Sequence, residues 1–266
     1  MEKRPKSFGF RLFRFLLIAY AGLCIFSCTM ADRMIFMPQR PAYAPTAPNL
    51  VTIEDEAGER LKAFYFPPAS GKPTVLYSHG NAEDIGTSID LYQQWRRDGW
   101  GVLAYDYPGY GHSTGSPSES STELAIAAAW NFLTLNESIP EKDIIVIGRS
   151  IGSGPSVWLA QHHHPRALIL ISPFTSTFAV RSPAQYILPG NRFPNLKRLR
   201  KIDTPLLIIH GEQDTLIPAT HGRTLHQASP ATTKRFVGIP DTGHNDLGLI
   251  DIIAPIRSFI KELPEP

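Results

Sequence analysis

The chain has 266 residues, of which 42% are hydrophobic and 19% charged, and its formal net charge is +2. This composition excludes a fibrous or intrinsically disordered protein and suffices for one large globular domain. The first 31 residues carry five basic side chains and one acidic side chain, so the remainder has a net charge of −2. A body with that charge lacks the basic surface that nucleic acid requires, and we expect no nucleic-acid partner.

The N-terminal segment, residues 1–31, combines a basic start with an apolar run. Five basic residues stand near its beginning: Lys3, Arg4, Lys6, Arg11 and Arg14. The uncharged stretch 15–31 follows them. A basic start before an apolar run is typical of a secretory signal or a signal-anchor. The uncharged stretch is slightly shorter than the roughly 20 residues that span a bilayer, so a cleaved signal and a retained anchor both remain open.

Both cysteines of the chain, Cys24 and Cys28, lie in this segment. The stretch IFSC, ending at Cys28, resembles the bacterial lipoprotein box, which would make Cys28 a lipidated N-terminus. The alternative is that both cysteines are small apolar residues of a membrane segment. Because basic residues stay on the cytoplasmic side of a membrane, we expect a membrane-attached protein whose main domain is extracytoplasmic.

After a Pro-rich lead-in, residues 32–49, short apolar runs alternate with amphipathic ones across the main domain, residues 50–266. The predicted strands are LVTIE, RLKAFYF, PTVLYSH, GVLAYD, DIIVIG, RALILIS, TPLLIIH and KRFVGI. The predicted helices cover residues 85–97, 122–135, 151–163, 220–227 and 247–263. This alternation predicts an α/β fold with a mostly parallel sheet and helices on both faces. Its functional site should lie at the carboxyl ends of the strands.

The pentapeptide GRSIG, residues 148–152, matches the G-x-S-x-G motif and follows a predicted buried strand. In that context the glycines allow a sharp turn that presents Ser150 as a nucleophile above the sheet. The N–H of Ile151 then lies at a helix N-terminus and is a candidate oxyanion donor. The second donor should come from the loop SHGNAED, where we favour the N–H of Asn81 over that of Ala82.

A serine nucleophile needs a base, and the base needs an acceptor that orients it. His244 lies in a loop after the last predicted strand, and Asp214 follows the strand before that one. In enzymes that carry the G-x-S-x-G turn between a strand and a helix, the catalytic residues follow in the chain order Ser, Asp, His. We therefore predict that Ser150, Asp214 and His244 form a catalytic triad. Other acidic candidates for the middle position are Glu212, Asp241 and Asp246. No metal or organic cofactor is required.

Three other groups of residues have structural interpretations. His79 and His210 each precede a glycine at a strand end, and we expect hydrogen bonds in those turns. The run His162 to His164 is expected to be a solvated helix end rather than a metal site. The Gly-rich stretch YDYPGYGHSTG has no following Lys-Ser or Lys-Thr, so we interpret it as a structural turn around Asp106.

Taken together and in this order, the motifs SHGNAED, DYPGYGHSTG, GRSIG, HGEQDTLIP and GHNDL resemble the α/β-hydrolase-domain proteins that act as protein depalmitoylases, along with their bacterial membrane-attached relatives. The resemblance runs from about Leu50 to the C-terminus. It implies the α/β-hydrolase fold with a short or no separate cap, and the same roles for Ser150, Asp214 and His244. Those depalmitoylases carry a cysteine-rich N-terminus that this chain lacks, so the resemblance does not extend to protein substrates.

The segment after ILISPF holds apolar residues that could form a wall for an acyl chain, among them Phe174, Phe178 and Tyr186. Ordinary core packing is the alternative. We therefore expect hydrolysis of a carboxylic ester or thioester with an acyl chain, the partners being that substrate and the membrane. Two other functions stay open, a serine peptidase acting on short peptides and an inactive hydrolase fold that binds without reacting.

Overall fold

The computed structural model describes residues 8–181 and 189–264, and within these ranges one sheet holds eight strands. Each predicted strand is present, with bounds within two residues of the prediction. The strands are β1 (Leu50–Glu54), β2 (Arg60–Phe66), β3 (Thr74–Ser78), β4 (Gly101–Tyr105), β5 (Ile144–Arg149), β6 (Ala167–Ile171), β7 (Leu206–Gly211) and β8 (Lys234–Ile239). Their abundance of Val, Ile and Leu suits strands that are covered on both faces.

The strand order across the sheet is β1-β2-β4-β3-β5-β6-β7-β8. β2 is antiparallel to both β1 and β4, whereas the six strands from β4 to β8 in this order are mutually parallel. The sheet is therefore mostly parallel, as predicted. Since parallel strands end at one edge, the loops after β3, β5, β7 and β8 come together there.

Helices connect the strands and cover both faces of the sheet. They are α1 (Phe8–Ile35), α2 (Ile89–Arg97), α3 (Glu119–Asn131), α4 (Ser153–His162), α5 (Thr177–Arg181), α6 (Asn195–Leu199), α7 (Thr220–Ala228) and α8 (Leu249–Glu262). Side chains alternate along each strand between the two faces. Leu76 of β3 joins the core under α3 and α4, while its neighbours Val75 and Tyr77 join the core under α2 and α8.

Two parts of the chain differ from the prediction. No helix is predicted between residues 172 and 201, but the described part of this stretch contains α5 and α6, which are each five residues long and too short to show a period. Helix α3 begins at Glu119 rather than at residue 122, because Ser118 caps it: the Ser118 hydroxyl accepts from the Ser121 N–H, and the Ser121 hydroxyl accepts from the Ser118 N–H.

Helix α1 is long and apolar enough to cross a membrane, by its length and composition, and it is the one such helix among the described residues. It runs four residues beyond the predicted segment boundary at residue 31. Asp32 and Arg33 interrupt the apolar sequence without ending the helix, because Asp32 lies on the main domain and pairs with Arg192 at 2.9 Å. The last turn of α1 is thus part of the main domain's surface.

Asp106 organises the Gly-rich turn after β4 and ties the Pro-rich lead-in to the core. Its carboxylate is fully buried, and it accepts hydrogen bonds from the Tyr43 hydroxyl at 2.5 Å and from the Ile85 N–H at 2.9 Å. Burial raises the pKa of Asp106 to about 7, although both hydrogen bonds favour the charged form. The stretch YDYPGYGHSTG is therefore a structural turn, as its sequence predicts.

We expect Tyr43→Phe to destabilise the protein by about 1–3 kcal/mol, because it leaves a buried carboxyl oxygen without its donor. In a domain of this size that lowers the thermal midpoint by several degrees. The matched control is Tyr65→Phe, which removes an exposed hydrogen bond to Glu137. Differential scanning fluorimetry of the full chain in detergent measures both, and equal midpoints for the two variants would contradict the role given to Tyr43.

Candidate active site

Ser150 lies at a sharp turn between β5 and α4, and its φ angle is +52°. A left-handed backbone at a serine is strained, and this is the conformation that a G-x-S-x-G turn between strand and helix adopts. Both glycines are needed for close packing. A Cβ on Gly148 would lie 2.4 Å from the Gly152 carbonyl oxygen, and a Cβ on Gly152 would lie 2.3 Å from the Ser78 carbonyl oxygen at the end of β3.

The structure brings together the three predicted residues Ser150, Asp214 and His244. His244 Nε2 lies 3.0 Å from Ser150 Oγ, and His244 Nδ1 lies 2.6 Å from Asp214 Oδ2. Ser150 comes from the turn after β5, Asp214 from the loop after β7 and His244 from the loop after β8. A hydrogen-bonded line of hydroxyl, imidazole and carboxylate can pass a proton from the serine to the imidazole.

Asp214 is buried and surrounded by donors. Its Oδ1 accepts from the N–H groups of Leu216 and Ile217 at 2.9 and 2.7 Å, while His210 Nε2 lies 3.4 Å from Oδ2. Burial would raise the pKa of Asp214, but hydrogen bonds from His210, His244 and the Ile217 N–H outweigh it and hold the pKa well below its ordinary value. The carboxylate therefore stays charged next to His244. The rivals Glu212, Asp241 and Asp246 make other contacts, with Arg223, Gln213 and the Gly243 N–H respectively.

The two predicted oxyanion residues, Asn81 and Ile151, line the same cleft as Ser150 and His244. Ile151 directly follows Ser150 in the turn, and Asn81 follows β3. The close contact between Gly152 and the end of β3 brings these two segments side by side. In the described part of the chain the N–H of Asn81 has no hydrogen-bond partner, so it is available to an anion in the cleft.

The cleft has a volume of about 850 Å³, which is within the range of small-molecule sites. Phe174, one of the predicted substrate residues, lies in its wall. Phe178 is on α5 and is half-buried, but it is not among the residues that line the cleft; its neighbours Thr177 and Val180 take that place. Tyr186 lies outside the described residues. The cleft therefore has the predicted apolar wall, but Val180 lines it where Phe178 was predicted.

Two groups of lining residues were missed by the sequence analysis. Met34, Ile35 and Met37 come from the end of α1 and the residues just after it, which belong to the predicted lead-in, residues 32–49. The apolar run MIFM directly after the charged pair Asp32 and Arg33 was the available signal. The second group is the ion pair between Arg149 and Glu83, at 2.7 Å, whose members lie within the motifs GRSIG and SHGNAED.

The other histidines considered in the sequence analysis also make hydrogen-bond contacts. His79 Nδ1 lies 2.8 Å from the Gly80 carbonyl oxygen, and burial lowers the pKa of His79 to about 4. His210 Nε2 lies 2.8 Å from the Ile217 carbonyl oxygen. At the end of α4, His162 contacts the Trp158 carbonyl and His163 contacts Glu141. The contacts of His79 and His210 lie in the turns where the sequence analysis expects them, whereas the contact of His163 with Glu141 is not predicted.

Comparisons with known proteins agree with this architecture. Residues 69–197 match the family model described as serine aminopeptidase S33, and residues 175–249 match the one described as α/β hydrolase fold. The chain is similar to an esterase of Pyrococcus furiosus, with a TM-score of 0.69 over 86% of this chain and 98% of the other. The identity in that pair is 18%, so the likeness concerns the fold.

Two relatives are closer in sequence. An uncharacterized protein of Mycobacterium tuberculosis is 34% identical over 258 residues, which are 91% of each chain. The α/β hydrolase domain-containing protein 17B of Xenopus laevis is 38% identical over 196 residues, which are 73% of this chain and 68% of the relative. With this identity, this coverage and the fold described above, the chain belongs to the α/β-hydrolase family.

Proposed function

We propose that the protein is a serine hydrolase that cleaves a carboxylic ester or thioester with an acyl chain. The observation that carries the proposal is the hydrogen-bonded line from Ser150 through His244 to Asp214 at the wall of a cleft with apolar sides. The sequence resemblance to protein depalmitoylases supports a thioester among the possible substrates. Membership of the α/β-hydrolase family supports hydrolysis as the reaction class.

In the proposed mechanism Ser150 Oγ attacks the substrate carbonyl carbon while His244 Nε2 takes its proton. The N–H groups of Ile151 and Asn81 stabilise the oxyanion that forms. His244 then gives the proton to the leaving alcohol or thiol, and the acyl group stays on Ser150. A water molecule, deprotonated by His244, attacks this acyl-enzyme and releases the carboxylic acid. Asp214 holds the imidazole in the required tautomer and stabilises its charged form.

A serine peptidase acting on short peptides is a second candidate. The match of residues 69–197 to the serine aminopeptidase family model is the observation that favours it. The same three residues cleave an amide when the cleft positions the amine leaving group as well as the carbonyl. A panel of p-nitrophenyl esters, an acyl thioester and aminoacyl p-nitroanilides, assayed side by side, separates the two candidates.

Ser150→Ala and His244→Ala should each lower kcat on the best ester by at least about 10⁴-fold, and the double variant should fall no further, because the two groups act as a unit. The matched control is Ser156→Ala, which changes a buried serine one turn into α4 whose hydroxyl has no partner among the described residues. It should keep kcat within about threefold.

Turnover of esters by Ser150→Ala at the wild-type rate would contradict the assigned nucleophile. Faster hydrolysis of the p-nitroanilides than of every ester would favour the peptidase. An inactive wild-type protein on the whole panel would favour the non-catalytic binding protein that the sequence leaves open.

Acyl-chain length should depend on the wall formed by α5. Val180→Phe adds bulk to a lining residue, so we expect kcat/KM for long-chain p-nitrophenyl esters to fall about tenfold or more while that for the acetate stays within about threefold. The matched control is Leu135→Phe, which makes the same kind of change at an exposed position. A uniform fall across all chain lengths would show that Val180 does not contact the acyl chain.

We further propose that α1 attaches the enzyme to a membrane with the main domain on the extracytoplasmic side. The basic residues Arg11 and Arg14 precede the apolar part of α1, and Asp32 and Arg33 follow it. Lipidation at Cys28 is an alternative form of attachment. Cleavage before Cys28 would remove residues 1–27 and keep the lining residues Met34, Ile35 and Met37. Both forms place the domain on the same side.

Protease added to intact cells should therefore remove a C-terminal epitope tag without prior lysis. A cytoplasmic protein with the same tag serves as the control for cell integrity. A tag that is cleaved only after lysis would place the domain in the cytoplasm. The mass of the mature protein, with or without residues 1–27 and an acyl modification, distinguishes the anchor from the lipoprotein.

A further inference from the structure

The side chain of Asn81 joins the loop after β3 to the end of α1. Its Nδ2 donates to the Ile35 carbonyl oxygen at 2.6 Å, and its Oδ1 accepts from the Met37 N–H at 2.9 Å. The Tyr110 hydroxyl donates to the same Oδ1 at 2.7 Å. One amide group thus makes three short contacts outside its own loop, two of them to the backbone that leaves the N-terminal helix.

The partners of Asn81 are themselves fixed. Ile35 is the last residue of α1, where carbonyl groups lack partners within the helix, so Asn81 supplies one. Phe36 is buried between the rings of Tyr110 and Phe193, at centroid distances of 6.5 and 6.1 Å. One turn earlier the ion pair between Asp32 and Arg192 holds α1 against the domain. The backbone at residues 35–37 therefore forms a firm support.

In the proposed reaction the backbone N–H of Asn81 donates to the oxyanion, so the position of this residue affects the rate. The Asn81 N–H points to no protein acceptor among the described residues, and Ala82, directly after it, has a left-handed φ of +56°. An N–H in such a strained turn stays in position only when neighbouring contacts hold it there. The contacts that hold Asn81 are those of its side chain with Ile35, Met37 and Tyr110.

We propose that residues 35–37 are a positioning element of the active site: their backbone clamps the Asn81 side chain and thereby aims the Asn81 N–H at the oxyanion. This inference rests on the proposed serine-hydrolase function. In consequence, the end of the N-terminal helix is required for the rate of the reaction as well as for attachment. A merely structural role for the clamp would change the stability of the protein and leave the kcat of the folded enzyme unaltered.

The test uses Met37→Pro in the whole chain, because proline removes the N–H that donates to Asn81 Oδ1 and also to the Tyr110 hydroxyl, each at 2.9 Å. Residue 37 already lies outside the helix and precedes Pro38, where extended backbone is normal. Met37→Leu is the matched control, since it keeps the N–H and an apolar side chain in the cleft. We expect Met37→Pro to lower kcat about 10- to 100-fold relative to Met37→Leu, with KM within about threefold, as for a weakened oxyanion donor.

A second variant, Asn81→Ala, removes the clamp from the other side and keeps the test valid if proline at residue 37 prevents folding. It should cause a similar fall in kcat. Adding Met37→Pro to it should cost no more than about twofold further, because without the Asn81 side chain the Met37 N–H no longer helps to hold the Asn81 N–H in position. Affinity for a trifluoromethyl ketone, which a reactive serine converts to an oxyanion, should fall by the same factor as kcat.

The outcomes are distinguishable. If the wild-type protein turns over no ester, thioester or amide, the proposed function is wrong. The role proposed for residues 35–37 is then overturned as well, because it rests on that function. If the wild type is active but Asn81→Ala and Met37→Pro both keep kcat within threefold of Met37→Leu, the clamp is overturned while the function stands. Independent, multiplicative losses in the double variant would also overturn it.

Discussion

The site depends on one close approach, that of the turn after Ser150 to the end of the neighbouring strand β3. Because Gly152 has no side chain, its Cα can lie against the Ser78 carbonyl oxygen, where a Cβ would be only 2.3 Å away. This contact follows from the parallel pairing of β3 and β5, whose last register pairs include Ser78 with Gly148. It places the serine turn beside the loop that carries Asn81, and the cleft lies above both.

From that contact the other parts of the site take their positions. β7 and β8 lie farther along the same sheet, and the loops after them reach back to the serine with Asp214 and His244. On the other side, the lead-in is held to the core by Tyr43 and Asp106, and the end of α1 is held by Asp32 and Arg192. The predicted start of the main domain at residue 50 therefore divides two segments that line the same cleft. Met34, Ile35 and Met37, which precede this boundary, help to line the cleft that holds Ser150.

The fold was predictable from the sequence because its signals are local and repeated. Strand β8, for example, has the predicted bounds, and the G-x-S-x-G turn lies between a strand and a helix as its motif requires. Ser150, Asp214 and His244, which were selected by their order in the chain, lie in one line, with His244 within hydrogen-bond distance of the other two. The contribution of α1 was hidden because it depends on contacts between residues far apart in sequence, such as Asn81 with Met37. Helices α5 and α6 are too short for periodicity to reveal.

The positions of these parts along the chain have a consequence for biosynthesis. The helix α1 precedes Ser150 in the chain, and His244 follows Ser150 by 94 residues, after the edge strand β8. Long-range pairings of this kind form late in folding. A growing polypeptide therefore contains Ser150 before it contains His244. During translation the N-terminal helix is therefore made before Ser150, and the hydrogen-bonded line from Ser150 to His244 can form only after β8 has been made.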